Sequence, residues 1–369
     1  MTTMLSRWIA RLAVIPLVGF SLAAMAQTAD QKRCTAEDPD VVIPGCTALL
    51  QSGQTPRIDM ARAYNNRGLA HAGKRQYDQA IADFTEALKL SPDNGQLFYN
   101  RGLTHGRKKQ HDLAAEDYGQ SIRLNPSYAP AYNNRGNALA ALGQFERAMA
   151  DYDQAVKLDP KDSEAYYNRG NTLAAQGQYE RALEDFTQAT RLNPKDPDGF
   201  YNLGMTHMRL GRHDQAILDY DETIRIAPTY ARAYNSRGFA FSAKGQPERA
   251  LRDYDEAIRL NPDYPLAYNN RGFALASLGQ HERALKEYDQ AIRLGPDYVG
   301  ALKNRGVTHA ALGRHARAVE DFTEALRLSP KNAEAYKVRG LSFRALGQAE
   351  RAAADFARAK ELDPNLPPP

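Results

Sequence analysis

From residue 61 to residue 366 the apolar and polar positions of the chain recur with a period of 34 residues, written nine times without a gap. The register is anchored by Gly68, Gly102, Gly136, Gly170, Gly204, Gly238, Gly272, Gly306 and Gly340. Four residues before each glycine stands a large apolar side chain, Tyr64, Phe98, Tyr132, Tyr166, Phe200, Tyr234, Tyr268, Leu302 and Tyr336. Twelve after it comes alanine, from Ala80 and Ala114 to Ala352, and sixteen after it an aromatic, from Phe84 and Tyr118 to Phe356. Proline closes each unit, from Pro92 to Pro364. Offsets of three and four place the first aromatic, the glycine and the residue three further on along one helical stripe, and the alanine, the second aromatic and the next alanine along another. Each unit therefore predicts two amphipathic helices that approach closely at glycine and alanine. A mid-unit glycine such as Gly143, Gly177 or Gly211 suits the end of the first helix, and proline starts the next hairpin. The units, repeats 1 to 9, span 61–94, 95–128, 129–162, 163–196, 197–230, 231–264, 265–298, 299–332 and 333–366. One such hairpin cannot bury its apolar face alone, so the pattern predicts an all-α stack in which every unit leans on its neighbours.

In these aromatic, glycine, alanine and proline positions each unit resembles the tetratricopeptide repeat (TPR). The resemblance covers all nine units and implies a right-handed α-solenoid superhelix of helical hairpins, with the first helices lining a concave groove. It implies a non-catalytic protein–protein interaction scaffold or adaptor that binds an extended polypeptide segment in that groove. An alternative keeps the fold and makes the ligand an envelope polysaccharide, with groove tyrosines stacking on sugar rings. No enzyme and no cofactor are expected, because catalysis needs a one-off constellation and almost every residue here has eight counterparts. No Ser-His-Asp, P-loop or zincin spacing stands outside the periodic slots.

Two residues before the glycine stand Asn66, Asn100, Asn134, Asn168, Asn202, Asn270 and Asn304, with Ser236 and Val338 breaking the run. The row resembles the asparagine ladder of the TPR domain of O-linked N-acetylglucosamine transferase, which holds extended polypeptide by its backbone. One carboxamide offers both a donor and an acceptor to a peptide group. First helices ~10 Å apart would present one amide per roughly three residues of extended chain. The alternative is a family preference for asparagine lining a wet groove. Beside the row, Tyr99, Tyr167 and Tyr201, with Met205, Phe239 and Phe273, are expected to add apolar and stacking contacts. The TPR clamp for a carboxy-terminal carboxylate finds its nearest match in Asn133 with Asn137, Asn168, then Asp198 with Asn202, and both cation pairs of that clamp are missing.

Two further ladders read as structural. Arginine precedes the glycine in every repeat except the fifth, where Leu203 stands, and an acid lies fifteen residues after every glycine, from Asp83 to Asp355. Matched ladders of opposite charge predict ion pairs between the two helices of a unit, which set register more than they add stability. The eight histidines fall in two slots, His71, His105, His207 and His309 three after the glycine, and His111, His213, His281 and His315 nine after it. Other repeats place Leu139, Phe241, Tyr77 or Phe145 there, so packing is expected over metal binding.

The ends differ from the array. Residues 1–26 read as a secretory signal, with Arg7 and Arg11, an apolar run from Leu12 to Ala24, and Ala24-Met25-Ala26 as the cleavage site. Export, to the periplasm or beyond, is the expectation. The apolar run falls short of the ~20 residues a membrane span needs, so no transmembrane segment is expected in the mature chain. Losing the leader takes the net charge from +4 to +2, which does not indicate a nucleic-acid partner. Basic residues do recur near the end of each second helix, such as Lys89, Arg123 and Arg327, where they complement the helix dipole. Residues 27–60 hold Cys34 and Cys46, and an exported chain with two cysteines predicts one disulfide. Their separation of 12 equals that of glycine and alanine in each repeat, so they are expected to staple a degenerate hairpin that caps the array. Repeat 9 carries Ala353 and Lys360 where earlier repeats carry Leu251 and Ile258, a polar cap, followed by a proline tail over 367–369.

Overall fold

A computed structural model describes residues 28–367. Among them lie twenty α-helices and no strand: α1 (Ala29–Cys34), α2 (Pro39–Gln51), α3 (Arg57–Gly73), α4 (Tyr77–Leu90), α5 (Gly95–Arg107), α6 (His111–Leu124), α7 (Ala129–Ala141), α8 (Phe145–Leu158), α9 (Ser163–Ala175), α10 (Tyr179–Leu192), α11 (Pro197–Arg209), α12 (His213–Ile226), α13 (Ala231–Ala243), α14 (Pro247–Leu260), α15 (Pro265–Ser277), α16 (His281–Leu294), α17 (Val299–Ala311), α18 (His315–Leu328), α19 (Ala333–Ala345) and α20 (Ala349–Leu362). The chain forms two compact units, one ending at Leu142 and the other beginning at Gly143. The first holds α1 to α7 and the second α8 to α20. The leader expected over residues 1–26 lies outside the described residues. No described helix is long and apolar enough to cross a membrane.

Within each unit the hairpins close as the periodicity predicts. The alanine of the second helix is fully buried from Ala80 to Ala318, and the aromatic four residues later lies against the anchor glycine. A Cβ placed on Gly204 would lie 2.6 Å from the Tyr220 ring, which leaves no room for a methyl group at this crossing. The first helix ends in a left-handed residue, with φ +74° at Gly177 and +70° at Gly211. Gln178 N–H reaches back to the Leu173 carbonyl at 2.9 Å and Gly177 N–H to Ala174 at 3.0 Å, a Schellman closure that satisfies two terminal carbonyls. In repeats 1 and 2 the same site is filled by Arg75 and Lys109, at φ +61° and +60°. First helices start on side-chain caps where Asn94, Asp162, Asp196 or Asn332 precedes them, and on tyrosine without a side-chain cap at Tyr230, Tyr264 and Tyr298.

The amino-terminal hairpin is short. α1 and α2 are joined by a disulfide between Cys34 and Cys46, whose Cα atoms are 4.5 Å apart, and both cysteines belong to a core cluster with Val42, Ala63 and Ala70. At the other end Ala353 and Lys360 of α20 are exposed.

Candidate functional site

In seven repeats the arginine before the anchor glycine braces three elements at once. Arg169 reaches Asp185 through Nε and Nη2 at 2.8 and 2.6 Å, and Asp153 of the preceding hairpin through Nη1 at 2.7 Å. Its guanidinium also lies 5.6 Å from the Tyr166 ring centroid. Arg67, Arg101, Arg237, Arg271, Arg305 and Arg339 repeat the fork to the acid of their own hairpin. Their Nη1 groups reach back to Thr47, Thr85, Asp221, Asp255, Asp289 and Thr323 respectively. Bidentate pairing in a half-buried setting holds these guanidinium groups above their ordinary pKa, through the hydrogen bond to Asp185 first in Arg169.

Repeat 5 lacks this brace. With Leu203 buried in the arginine's place, His207 Nδ1 donates to Asp219 Oδ2 at 2.6 Å. Burial pushes the Asp219 carboxyl up to about 6, against the downward pull of His207. In repeats 1 and 2 the corresponding histidines stand behind an arginine fork: His71 and His105 donate to Gln76 and Gln110 at 2.6 and 2.8 Å. His309, with Asp321 engaged by Arg305, has no partner for Nδ1 among the described residues, and burial lowers its pKa. No group of three or more His, Cys, Asp or Glu side chains placed to hold a metal occurs among the described residues. The retained acid opposite the only leucine of the arginine column was the sequence signal for the His207–Asp219 pair.

The asparagine row lies on the first helices, and its amide groups are largely committed to the protein itself. Five of the seven donate to the side chain 35 residues earlier: Asn100 to Asn65 at 3.0 Å, Asn134 to the Tyr99 hydroxyl at 2.9 Å, Asn202 to the Tyr167 hydroxyl at 2.9 Å, Asn270 to Asn235 at 3.1 Å and Asn304 to Asn269 at 2.9 Å. Asn66, at the start of the row, donates to the Cys34 carbonyl at 3.1 Å. Ser236 continues the pattern, its hydroxyl 3.2 Å from that of Tyr201. Asn168 is half-buried at the same place in α9. Donors that the sequence leaves to a ligand are therefore rungs between successive repeats. The carbonyl oxygens of Asn134, Asn202 and Asn304 accept no hydrogen bond from the described residues, so they retain the capacity to take a peptide N–H.

The tyrosines expected to stack on a ligand are turned to other work. Tyr201 is buried, at 6% exposure, with Tyr220 and Tyr230 at 5.8 and 5.3 Å and Arg232 at 4.9 Å over its ring. Tyr99 packs on Tyr118 and Tyr128, and Tyr167 on Phe186. Stacking surface is supplied one position after the anchor glycine instead, where Phe239 and Phe273 are 53% and 55% exposed. Two hollows open on this face in the second unit. One, of about 200 Å³, is lined by Asn171, Asn202, Met205 and Arg209 among others, and the second, of about 410 Å³, by Phe239, Phe273, Asn270 and Asn304 among others.

The chain thus carries arginine braces, an amide row with open acceptors and exposed aromatic side chains on its first helices. Its repeat chemistry is matched by family models for the TPR repeat at 107–143, 136–177 and 240–279, and for the tetratricopeptide repeat at 61–94, 167–231, 263–331 and 303–367. The chain belongs to the tetratricopeptide-repeat family, and its fold is the TPR α-solenoid. None of the curated proteins matches it. Among solved structures it is similar to the Cut9–Hcn1 hetero-tetramer of the APC/C (17% identity, TM-score 0.55, covering 82% of this chain and 59% of that one). It is similar also to a tetratricopeptide repeat protein from Parabacteroides merdae (20% identity, TM-score 0.52, covering 68% and 99%). A third is YrrB, described as a TPR protein with an unusual peptide-binding site (29% identity, TM-score 0.45, covering 51% and 97%). TPR arrays of this kind are in general non-catalytic scaffolds for protein–protein interaction.

Proposed function

We propose that this chain is a non-enzymatic, exported adaptor that holds an extended protein segment along the face of its first helices. The observation that carries the reading is the amide row: five of its amides are fixed by rungs to the preceding repeat, and open carbonyls stand at intervals beside exposed aromatics. Such acceptors recognise backbone N–H groups without regard to sequence, and pre-set side chains lose little entropy on binding. A polysaccharide ligand is less well served, because the tyrosine rings and hydroxyls it would use are packed or bonded within the protein. Export rests on the leader-like residues 1–26 and on the cysteine pair, and calls for a mature chain beginning at Gln27.

The test is capture from envelope extract, with and without protease treatment, by the parent and by a variant carrying Asn134→Ala, Asn202→Ala, Asn270→Ala and Asn304→Ala. Each amide contributes roughly 0.5–1.5 kcal/mol net, so a single change weakens binding modestly and the four together nearly abolish it. Because the amides are also rungs, the variant is expected to lose some thermal stability while remaining helical. Capture that survives protease, or that is unchanged in the variant, refutes the reading.

A further inference from the structure

The first-helix face of the second unit changes chemistry along its length. One place after the anchor glycine stand Asn171, Met205, Phe239, Phe273 and Val307 in successive repeats. Phe239, Phe273 and Val307 are each about half exposed, at 53%, 55% and 48%, and Leu266, two turns before Phe273 on α15, is 39% exposed. These four fall on the successive first helices α13, α15 and α17. Of the other large apolar side chains exposed among the described residues, Ile58, Leu113 and Leu218 stand on α3, α6 and α12, and Leu346 just after α19. A contiguous exposed strip of this kind marks an interaction surface, whereas scattered exposed apolar residues need no explanation.

Charge on the same face is one-sided. The positions six and two residues before the glycine, and one and five after it, share one helical stripe. On α13, α15 and α17 that stripe holds no carboxylate. Where the strip begins stand two exposed cations, Arg209 at the end of α11 and Arg232 at the start of α13, neither in an ion pair with a described residue. Arg209 lines the 200 Å³ hollow with Asn202 and Met205, and Arg232 lies over the Tyr201 ring. The carboxylate one repeat before Arg232, Asp198, accepts the Tyr230 hydroxyl at 2.7 Å. Every brace arginine described above is paired with an acid, whereas Arg209 and Arg232 leave positive charge on this stripe without a paired acid.

Resting on the reading that this face holds an extended protein segment, we propose that repeats 5 to 8 select a segment of mixed character. It is acidic where it passes Arg209 and Arg232, and it then places an apolar side chain against each of Phe239, Phe273 and Val307. With first helices ~10 Å apart and an extended chain advancing about 3.3–3.6 Å per residue, the apolar side chains fall at about every third position. The amide carbonyls of Asn202 and Asn304 take backbone N–H groups along the path.

The experiment uses the full mature chain and a fluorescent synthetic peptide of about twelve residues, with Glu and Asp in its first four places and Leu at every third place thereafter among Ser and Thr. Its affinity is read by anisotropy. Peptides with Gln and Asn for the acids, with Ser for the leucines, and with the same composition scrambled are compared, against the parent protein and the variants Arg209→Gln/Arg232→Gln and Phe239→Ser/Phe273→Ser. Each control peptide and each variant is expected to bind about tenfold more weakly, and the amide peptide is expected to lose nothing further on the arginine variant. Absence of saturable binding, equal binding of the scrambled peptide, or unchanged affinity in the phenylalanine variant overturns the proposal. If the four-asparagine variant loses the peptide while the arginine and phenylalanine variants keep it, this selectivity falls and the backbone-holding reading stands. Sedimentation supplies the remaining outcome: a parent dimer made monomeric by Phe239→Ser/Phe273→Ser assigns the strip to a second copy of the chain and overturns the proposal.

Discussion

Asp219 has no guanidinium to answer it because residue 203 is leucine, and its carboxyl is held by His207 at 2.6 Å in a site that raises its pKa to about 6. A carboxyl in the unfolded chain titrates near 4, so the folded chain binds this proton more tightly. The stability the group contributes is fully present below about pH 4 and is lost as pH rises through about 6. Amide exchange in α11 and α12, corrected for intrinsic rates, is therefore expected to accelerate roughly tenfold between about pH 4 and about pH 7. Leu203→Arg should remove that dependence by restoring the fork, and an unchanged profile would show that Asp219 is not its source. Arg237 poses the opposite case. Its removal leaves Asp253, at 6% exposure, without its fork and Asp221 without a counter-charge. Arg237→Ala is expected to cost about 3–5 kcal/mol in urea unfolding, and Arg237→Leu combined with Asp253→Leu to recover most of it, because the penalty lies in the stranded buried charge.

At the scale of the element, the hairpin turn shows one local rule kept seven times and broken twice. Glycine supplies the left-handed residue from Gly143 to Gly347, while Arg75 and Lys109 adopt the same conformation with a Cβ in place. An L-residue there costs about 1–2 kcal/mol in sterics, and glycine gives back about 0.5–1 in chain entropy. Arg75→Gly and Lys109→Gly should each stabilise the first unit by roughly 0.5–1 kcal/mol, measured as a shift in the urea midpoint at constant slope. A loss of stability in both would mean that their side chains contribute more than the turn geometry costs.

For the molecule as a whole, stability is a chain of nearest-neighbour contacts, so the ends govern how the array opens. The Cys34–Cys46 disulfide closes the amino-terminal hairpin onto Ala63 and Ala70 of α3. Cys34→Ser/Cys46→Ser is expected to cost about 2–4 kcal/mol locally. In hydrogen exchange the loss should be confined to α1 to α4, with α12 to α18 unaffected. A uniform loss of protection would indicate global rather than sequential opening.

Much of this was legible in the sequence because it depends on local periodicity. The 34-residue register and the glycine–aromatic crossing follow from offsets of three and four that put side chains on one helical stripe, and the pairing of arginine with the acid sixteen residues on follows from matched ladders of opposite charge on the two helices. The partner of each asparagine does not follow from such offsets. Asn134 meets Tyr99, and Asn304 meets Asn269, because stacking slides one first helix against the preceding one by a fixed amount that no single repeat encodes. That lateral register also decided that Tyr201 is enclosed by its neighbours while Phe239 and Phe273, equally apolar in sequence, face water. The sequence by itself determined the hairpin and its repetition, since helix geometry is set within a few residues. Only the tertiary structure decided which polar groups are spent between repeats and which remain open, since hydrogen-bond satisfaction is settled by what stacking brings within about 3 Å.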